Sequence, residues 1–329
     1  VSNLDANPAE QDCPAKDDPG PVVEFHEARD VPLGGVRGVH VMRTLPQRVL
    51  PTVGAWCFLD HFGPHTTPMN VNPHPHIGLQ TVTWPFQGEI RHRDSVGSDV
   101  VVRPRQLNIM TAGRGIAHSE ISQAADAATV SHGLQLWTAL PGEHRDTAPH
   151  FEQHRYLPFY ELPGLRALVF LGTLDTVTSP ATTYSPILGA DITLNPGAAA
   201  TVPLTHYHEH AVMVIEGDLS VVDDTGADEG TDVPAGPLLY LGTGRSGLTL
   251  TSRTGAHLIL LGGEPFREDI VMWWNFVGRS HEDIEEARSD WEKRNLERFP
   301  DVAGHAVEER IPAPPLPGIR LKPRGRGPR

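Results

Sequence analysis

The chain has 329 residues, enough for two domains of ordinary size, with a modest hydrophobic fraction of 39% and 6% aromatics. A net charge of −14 argues against direct nucleic-acid binding, and no apolar run approaches the roughly 20 residues that span a bilayer. The two cysteines, Cys13 and Cys57, are too few for a disulfide framework, so a reducing, cytoplasmic setting is the expectation.

In chain order, residues 1–20 are polar and acidic, lack the basic start and apolar run of a secretory signal, and read as a disordered tail. From Val22 to Leu140, short apolar runs alternate with turn signals: "GVHVMRTL", "GAWCFLDHF", "LQTVTW", "SDVVVRP", "QLNIMTA" and "HGLQLWTAL". The 32 glycines and 31 prolines suit this pattern, which predicts an all-β sandwich or barrel. A His- and charge-rich connector follows over 141–164, and then strand-like runs resume through "AHLILLGG". One helix is predicted in "SHEDIEEARSDWEKRNLERF", where Ser280 and Asp283 have capping-box spacing. Ile284, Ala287 and Trp291 would form its apolar face, extended by Leu296 and Phe299. The closing "GIRLKPRGRGPR" reads as a solvated basic tail.

The two halves share a strand–Gly–acid–strand pattern in "WPFQGEIRHRDS" and "MVIEGDLSVVDD". Aligning Gly88 with Gly217 gives an offset of 129 residues, which predicts a duplicated barrel. In "NPHPHIGLQTVTW", His74 and His76 stand two residues apart and project from one face of a strand. In "MTAGRGIAHSEIS", His118 and Glu120 repeat that spacing, with Gly113 and Gly115 forming a tight turn before them. Three imidazoles and a carboxylate suit a divalent first-row metal with coordination positions left open. Neither pair alone is specific, since a lone HxH in a chain with 18 histidines is more often incidental.

Taken together, "GAWCFLDHF", "HPHIGLQTVTW", "GEIRHRDSVG", "MTAGRGIAHSE" and "HGLQLWTALP" resemble the pirin family of the cupin superfamily. The likeness is dense from Gly34 to Pro141, thins, and returns at "LLGGEPFREDIVMWWNFVGRSHEDIEEARSDW". It implies two tandem cupin barrels with a short C-terminal helix: an N-terminal metal-binding barrel over 21–145, a C-terminal barrel without metal plus the closing helix over 146–310, and a basic tail over 311–329. It also implies one metal ion per chain, Fe2+ in the first instance, held by His74, His76, His118 and Glu120. Where many relatives carry Arg and Glu after the second histidine, this chain has Ile77, Leu79 and Gln80, which would remove charge near the site.

Adding 129 to the four ligand positions lands on Pro203, Thr205, Gly247 and Thr249, so the second barrel lacks the donor set. His206, His208 and His210 offer an alternative cluster there, read as lying at a surface or rim. His92 is expected at the pocket mouth or bonded to Asp94, and His61 and His65 as solvated or as supports of the ligands. Cys57 reads as a buried small hydrophobe, and Asp60 and Glu89 as ordinary strand-end charges.

The resemblance implies a quercetin 2,3-dioxygenase-like enzyme, with a flavonol and O2 as substrates and Glu120 as both ligand and catalytic base. The alternative it carries is a redox- or metal-responsive regulator that binds a protein partner. A cupin with a purely structural metal is a third reading.

Overall fold

The computed structural model describes residues 11–13, 20–33, 39–123, 129–223 and 230–321. These residues form two β-barrels, each closed by a large and a small antiparallel sheet. In the first barrel the large sheet runs, from edge to edge, His150–His154, Leu107–Thr111, Leu79–Gln87, Ser131–Ala139, Trp56–His65, Val39–Leu45 and Arg29–Leu33. The small sheet opposite it runs Asn70–His76, Ile116–Ser122, Ile90–Asp94 and Asp99–Val102. The second barrel repeats the plan, and its Leu219–Asp223 follows its counterpart Ile90–Asp94 by 129 residues, the expected offset. The duplicated barrel is therefore the observed architecture. Among the described residues no helix is long and apolar enough to cross a membrane.

The linear division at 145 does not carry over to the strand pairing. Pro21–His26 adds to the second barrel, against Leu238–Gly242, and His150–His154 adds to the first, against Leu107–Thr111. Each half thus supplies an edge strand to the sheet of the other. The closing segment crosses too. Ile270–Trp273, Phe276–Gly278 and the helix His281–Glu292 pack on the first barrel, in one apolar cluster with Ile77 and Ala117. Within the segment expected as an N-terminal tail, Gln11–Cys13 pairs with Ile270–Trp273; residues 1–10 and 14–19 lie outside the described residues.

The helix begins as its sequence requires. The Ser280 hydroxyl accepts from Asp283 N, and the Asp283 carboxylate accepts from Ser280 N. Ile284, Ala287 and Trp291 are buried beneath it, but Leu296 lies past the helix end and is exposed. The chain then runs back along the first barrel. Trp291 Nε1 donates to Ile311 O, Ile311 N donates to Pro73 O, and Leu321 is buried. Ala313, Pro314 and Leu321 pack on the first barrel, whereas residues 318–320 are exposed, as expected of the tail; residues 322–329 lie outside the described residues.

The two barrels differ in what fills them. The second holds an apolar core that includes Val169, Ile192, Val202, Val212, Leu239 and Leu260. The first buries Asp60, Thr83, Gln135, Glu120 and four histidines, His74, His76, His92 and His118. Between them lies a shared core in which Trp84 stacks on Phe170 with ring centroids 4.8 Å apart, beside Leu136, Met213 and Ile259. Three polar ties cross this core: Trp84 Nε1 donates to Asp191, Trp56 Nε1 to Leu188 O, and Gly54 N to Glu209 Oε2 at 2.6 Å. The fully buried Glu209 also accepts from Tyr240 Oη. Glu209→Ala would strip the acceptor from two buried donors, a cost of about 2–4 kcal/mol. Urea unfolding is expected to show this loss in one cooperative transition, since the barrels share their core; two separate transitions would refute the coupling.

Candidate metal centre

The His74–His76 strand and the His118–Glu120 strand pair antiparallel, with His118 directly opposite His74. Two glycines bring them to this register. Gly78 ends the first strand at φ +68, and Gly113 turns the chain into the second at φ +50. Gly78 N donates to Gly113 O at 2.8 Å, so the two ends are joined. A Cβ on Gly78 would collide with the Val277 carbonyl, which is why the closing segment can sit so near.

Within this frame His74, His76 and His118 each offer a ring nitrogen within 4.8 Å of the other two, and all three are fully buried. His76 Nε2 and His118 Nε2 face each other at 3.1 Å. The tautomers follow from the remaining nitrogens. His74 Nδ1 lies 2.8 Å from Asn72 O and His76 Nδ1 lies 3.1 Å from Asn275 O. Carbonyls only accept, so both Nδ1 atoms carry the proton and both Nε2 atoms present a lone pair. His118 Nδ1 contacts His92 Nδ1 at 3.4 Å, and His92 Nε2 lies 2.9 Å from Asp94 Oδ2. His92 therefore donates to Asp94 and accepts from His118, which leaves the His118 Nε2 lone pair directed at the cluster.

Protonation states agree with this assignment. Burial pushes His74 down to about 4, and it drives His76 and His118 well below the ordinary imidazole value, with the neighbouring rings adding to the shift. Burial opposes the charge on Asp94, but the bond from His92 and the backbone N–H of Ser98 outweigh it and hold that carboxyl low. Three neutral imidazoles with convergent lone pairs are a donor set that fits a divalent first-row metal.

Glu120 is buried on the same face but falls outside the group of three nitrogens. A register shift sets it opposite Val71, and on its other side it faces His92. Thr83 Oγ1 stands 3.0 Å from Glu120 Oε1 and 3.1 Å from the Gln135 side chain. Both neighbours are acceptors, the Glu120 carboxylate and the Gln135 amide oxygen, and the Thr83 hydroxyl has one hydrogen to give between them. Burial opposes the charge on Glu120, and the hydrogen bond from Thr83 favours it. Trp137 lies edge-on to His76 at 5.3 Å between centroids and stacks on Phe58, giving the site an apolar wall.

Gln80 bonds Thr111, Thr138 and the Thr182 carbonyl, Leu79 enters the shared core, and Ile77 packs toward the closing segment. The three departures therefore shape the packing around the site. Asp60 is fully buried and takes a two-pronged contact from Arg43 at 2.7 and 2.8 Å, which its place inside the apolar run "GAWCFLDHF" could have signalled. Cys57 is buried beneath Trp137 O, and Glu89 pairs with Arg103 at the surface. His61 meets His132, outside the triad. His206 is exposed in a turn, whereas His208 and His210 are buried with centroids 6.2 Å apart, so the rim cluster does not form. The Asn275 carbonyl was not legible in the sequence, since 199 residues separate it from the ring it orients.

Residues 38–138 match the family model described as Pirin, and residues 189–297 match the Pirin C-terminal cupin domain. The chain belongs to the pirin family. Among relatives, a Pseudomonas aeruginosa protein named "Putative quercetin 2,3-dioxygenase" is 42% identical, covering 93% of this chain and 94% of its own. A pirin-like protein of Caulobacter vibrioides is 36% identical over 80% of this chain and 91% of its own. The crystal structure of a quercetin 2,3-dioxygenase from Acinetobacter baumannii superposes with a TM-score of 0.82 at 36% identity, covering 91% of this chain and 98% of that one.

The pirin triad makes the metal-free fold sensitive to acid. His74 has a folded pKa of about 4 against 6.5 unfolded, so below pH 6.5 the unfolded chain binds the proton first. Stability should therefore fall between pH 6.5 and 4 by on the order of 3 kcal/mol for this ring. Urea unfolding of metal-free protein at pH 7.5 and 4.5 checks it; His74→Asn should shallow the slope, and an unchanged slope would contradict the burial argument.

Proposed function

We propose that this pirin is a metal-dependent dioxygenase that opens flavonols such as quercetin with O2 and releases carbon monoxide. The observation that carries the reading is the convergence of three neutral imidazole lone pairs beside a buried carboxylate. The names of the relatives supply the substrate class. In this reading His74, His76 and His118 hold one ion per chain, Fe2+ in the first instance, and Glu120 joins them as an adjustable fourth ligand. Such an ion supplies Lewis acidity toward the flavonol 3-hydroxyl and carbonyl, and one-electron reactivity toward O2.

The chain's own residues do the rest. The Glu120 carboxylate accepts the 3-hydroxyl proton, and the Thr83 hydroxyl orients it by donating to Oε1. Trp137, edge-on to His76 and backed by Phe58, gives the site an apolar wall that excludes water. Asn72 O, Asn275 O and His92 keep the ligand nitrogens deprotonated where they must donate.

Anaerobic purification with metal analysis, followed by quercetin turnover and carbon monoxide detection, tests the reading. Loss of flavonol with one carbon monoxide per ring opened is expected, and metal-replete protein that leaves quercetin intact would defeat it. His118→Ala should abolish metal retention, while Asp94→Asn should weaken it by about 10–100-fold through its support of His92. Glu120→Gln, assayed at saturating metal, should lower turnover by about 100-fold or more; full turnover would remove Glu120 from the base role.

A further inference from the structure

The two ligand-bearing strands are held from outside by the chain that returns after the helix. Side chains alternate along a strand, so Ser119 projects outward while its neighbours His118 and Glu120 face into the barrel. Ser119 is fully buried all the same, and its Oγ lies 2.9 Å from His305 Nε2. His305 Nδ1 stands 3.1 Å from Glu309 Oε2, which also accepts from Ala306 N at 2.8 Å and closes the short turn Val307–Glu309. A carboxylate only accepts, so Nδ1 carries a proton, and in the neutral ring Nε2 accepts from the Ser119 hydroxyl. The Ser–His–Glu order is that of an acyl-transfer triad, but this hydroxyl is shut away from solvent and has no substrate to attack.

Two further bonds land on the same patch. Ile311 N donates to Pro73 O at 2.9 Å, and Arg93, across from Ser119 on the next strand, reaches Gly304 O at 3.4 Å. What these contacts share is the bulge between the ligand strands. His118 lies opposite His74 but Glu120 opposite Val71, so two steps along one strand match three along the other. The extra residue falls within Asn72–Pro73, between those partners. Pro73 has no N–H to give, its carbonyl is taken by Ile311, and the Asn72 carbonyl is left for His74 Nδ1. The irregularity that sets Glu120 against the triad is thus pinned on both of its strands by one segment.

We propose that this segment positions Glu120: the clasp of His305 on Ser119, with Ile311 on Pro73, holds the bulge in the register that sets the carboxylate beside the triad. The proposal rests on the reading above that Glu120 is the fourth metal ligand. His305 is a positioning residue and acts through Ser119. His76 and His118 have their own supports in Asn275 O and His92, so loss of the clasp releases the carboxylate and leaves those two rings in place.

Full-length protein loaded with Co2+ gives a readout separate from turnover, because the visible absorption of this ion reports its coordination number. His305→Ala and Ser119→Ala, each shown to be folded by circular dichroism, should shift that spectrum toward the one given by Glu120→Ala. Both should also weaken Co2+ binding by about 10-fold. His305→Gln, which can still bond the Ser119 hydroxyl, should restore the unaltered spectrum. Ser119→Ala removes one oxygen and carries the test if His305→Ala does not fold. In a Glu120→Ala background, His305→Ala should add no further change. A spectrum unaltered by both single variants, or a shift that persists in the Glu120→Ala background, would overturn the clasp. If Glu120→Ala itself leaves the spectrum unchanged, the fourth-ligand reading falls and the clasp with it, so the two failures are told apart.

Discussion

Burying three imidazoles together is possible only if none of them is charged, and that constraint organises the first barrel. A protonated ring in that position would lose its hydration and repel two neighbours at once. The structure meets the requirement by giving each Nδ1–H an acceptor: Asn72 O, Asn275 O and the ring of His92. Asp94 anchors the last of these through the far nitrogen of His92. Neutrality, tautomer and direction of the lone pairs are thus one property rather than three.

The same constraint explains why the duplicated barrels diverge inside while matching outside. A barrel filled with His, Glu, Thr, Gln and a buried Asp60–Arg43 pair contributes less apolar burial than one filled with Val, Leu and Ile. The large interface around Trp84, Phe170 and Met213 adds apolar burial that both barrels share. Exchange of Pro21–His26 and His150–His154 fastens the halves further, because each edge strand is held by the neighbouring barrel. The polar barrel thus keeps a small apolar core of its own, Val41, Phe62, Met69, Val71, Ile90 and Val102, and draws further burial from the interface with its partner.

The closing segment connects this architecture to the chemistry. Phe276 bridges to Ile77, Gly78 leaves space for Val277, and the Asn275 carbonyl reaches His76. A helix capped by Ser280 and Asp283 holds the segment in place, with Trp291 bonded to the returning chain at Ile311. A ligand near residue 76 is therefore oriented by a strand pair almost at the other end of the protein.

Much of this was legible in the sequence where the signal is local. Strand periodicity, the 129-residue repeat, the capping box and the two-residue spacings of His74–His76 and His118–Glu120 all depend on near neighbours, whose geometry the backbone period dictates. The motifs also carried the family. What lay beyond local reach were contacts that only closure of the barrels creates: the Asn275 carbonyl on His76, the burial of Asp60 against Arg43, the exchange of edge strands, and the meeting of His61 with His132. Leu296 and Leu321 make the same point in opposite directions, one apolar and exposed, the other in a basic stretch and buried. Residue type and spacing determined which side chains could bind a metal and on which strands they stand. Tertiary structure alone decided which nitrogens carry protons, because a tautomer is set by whichever acceptor the fold brings to the other side of the ring.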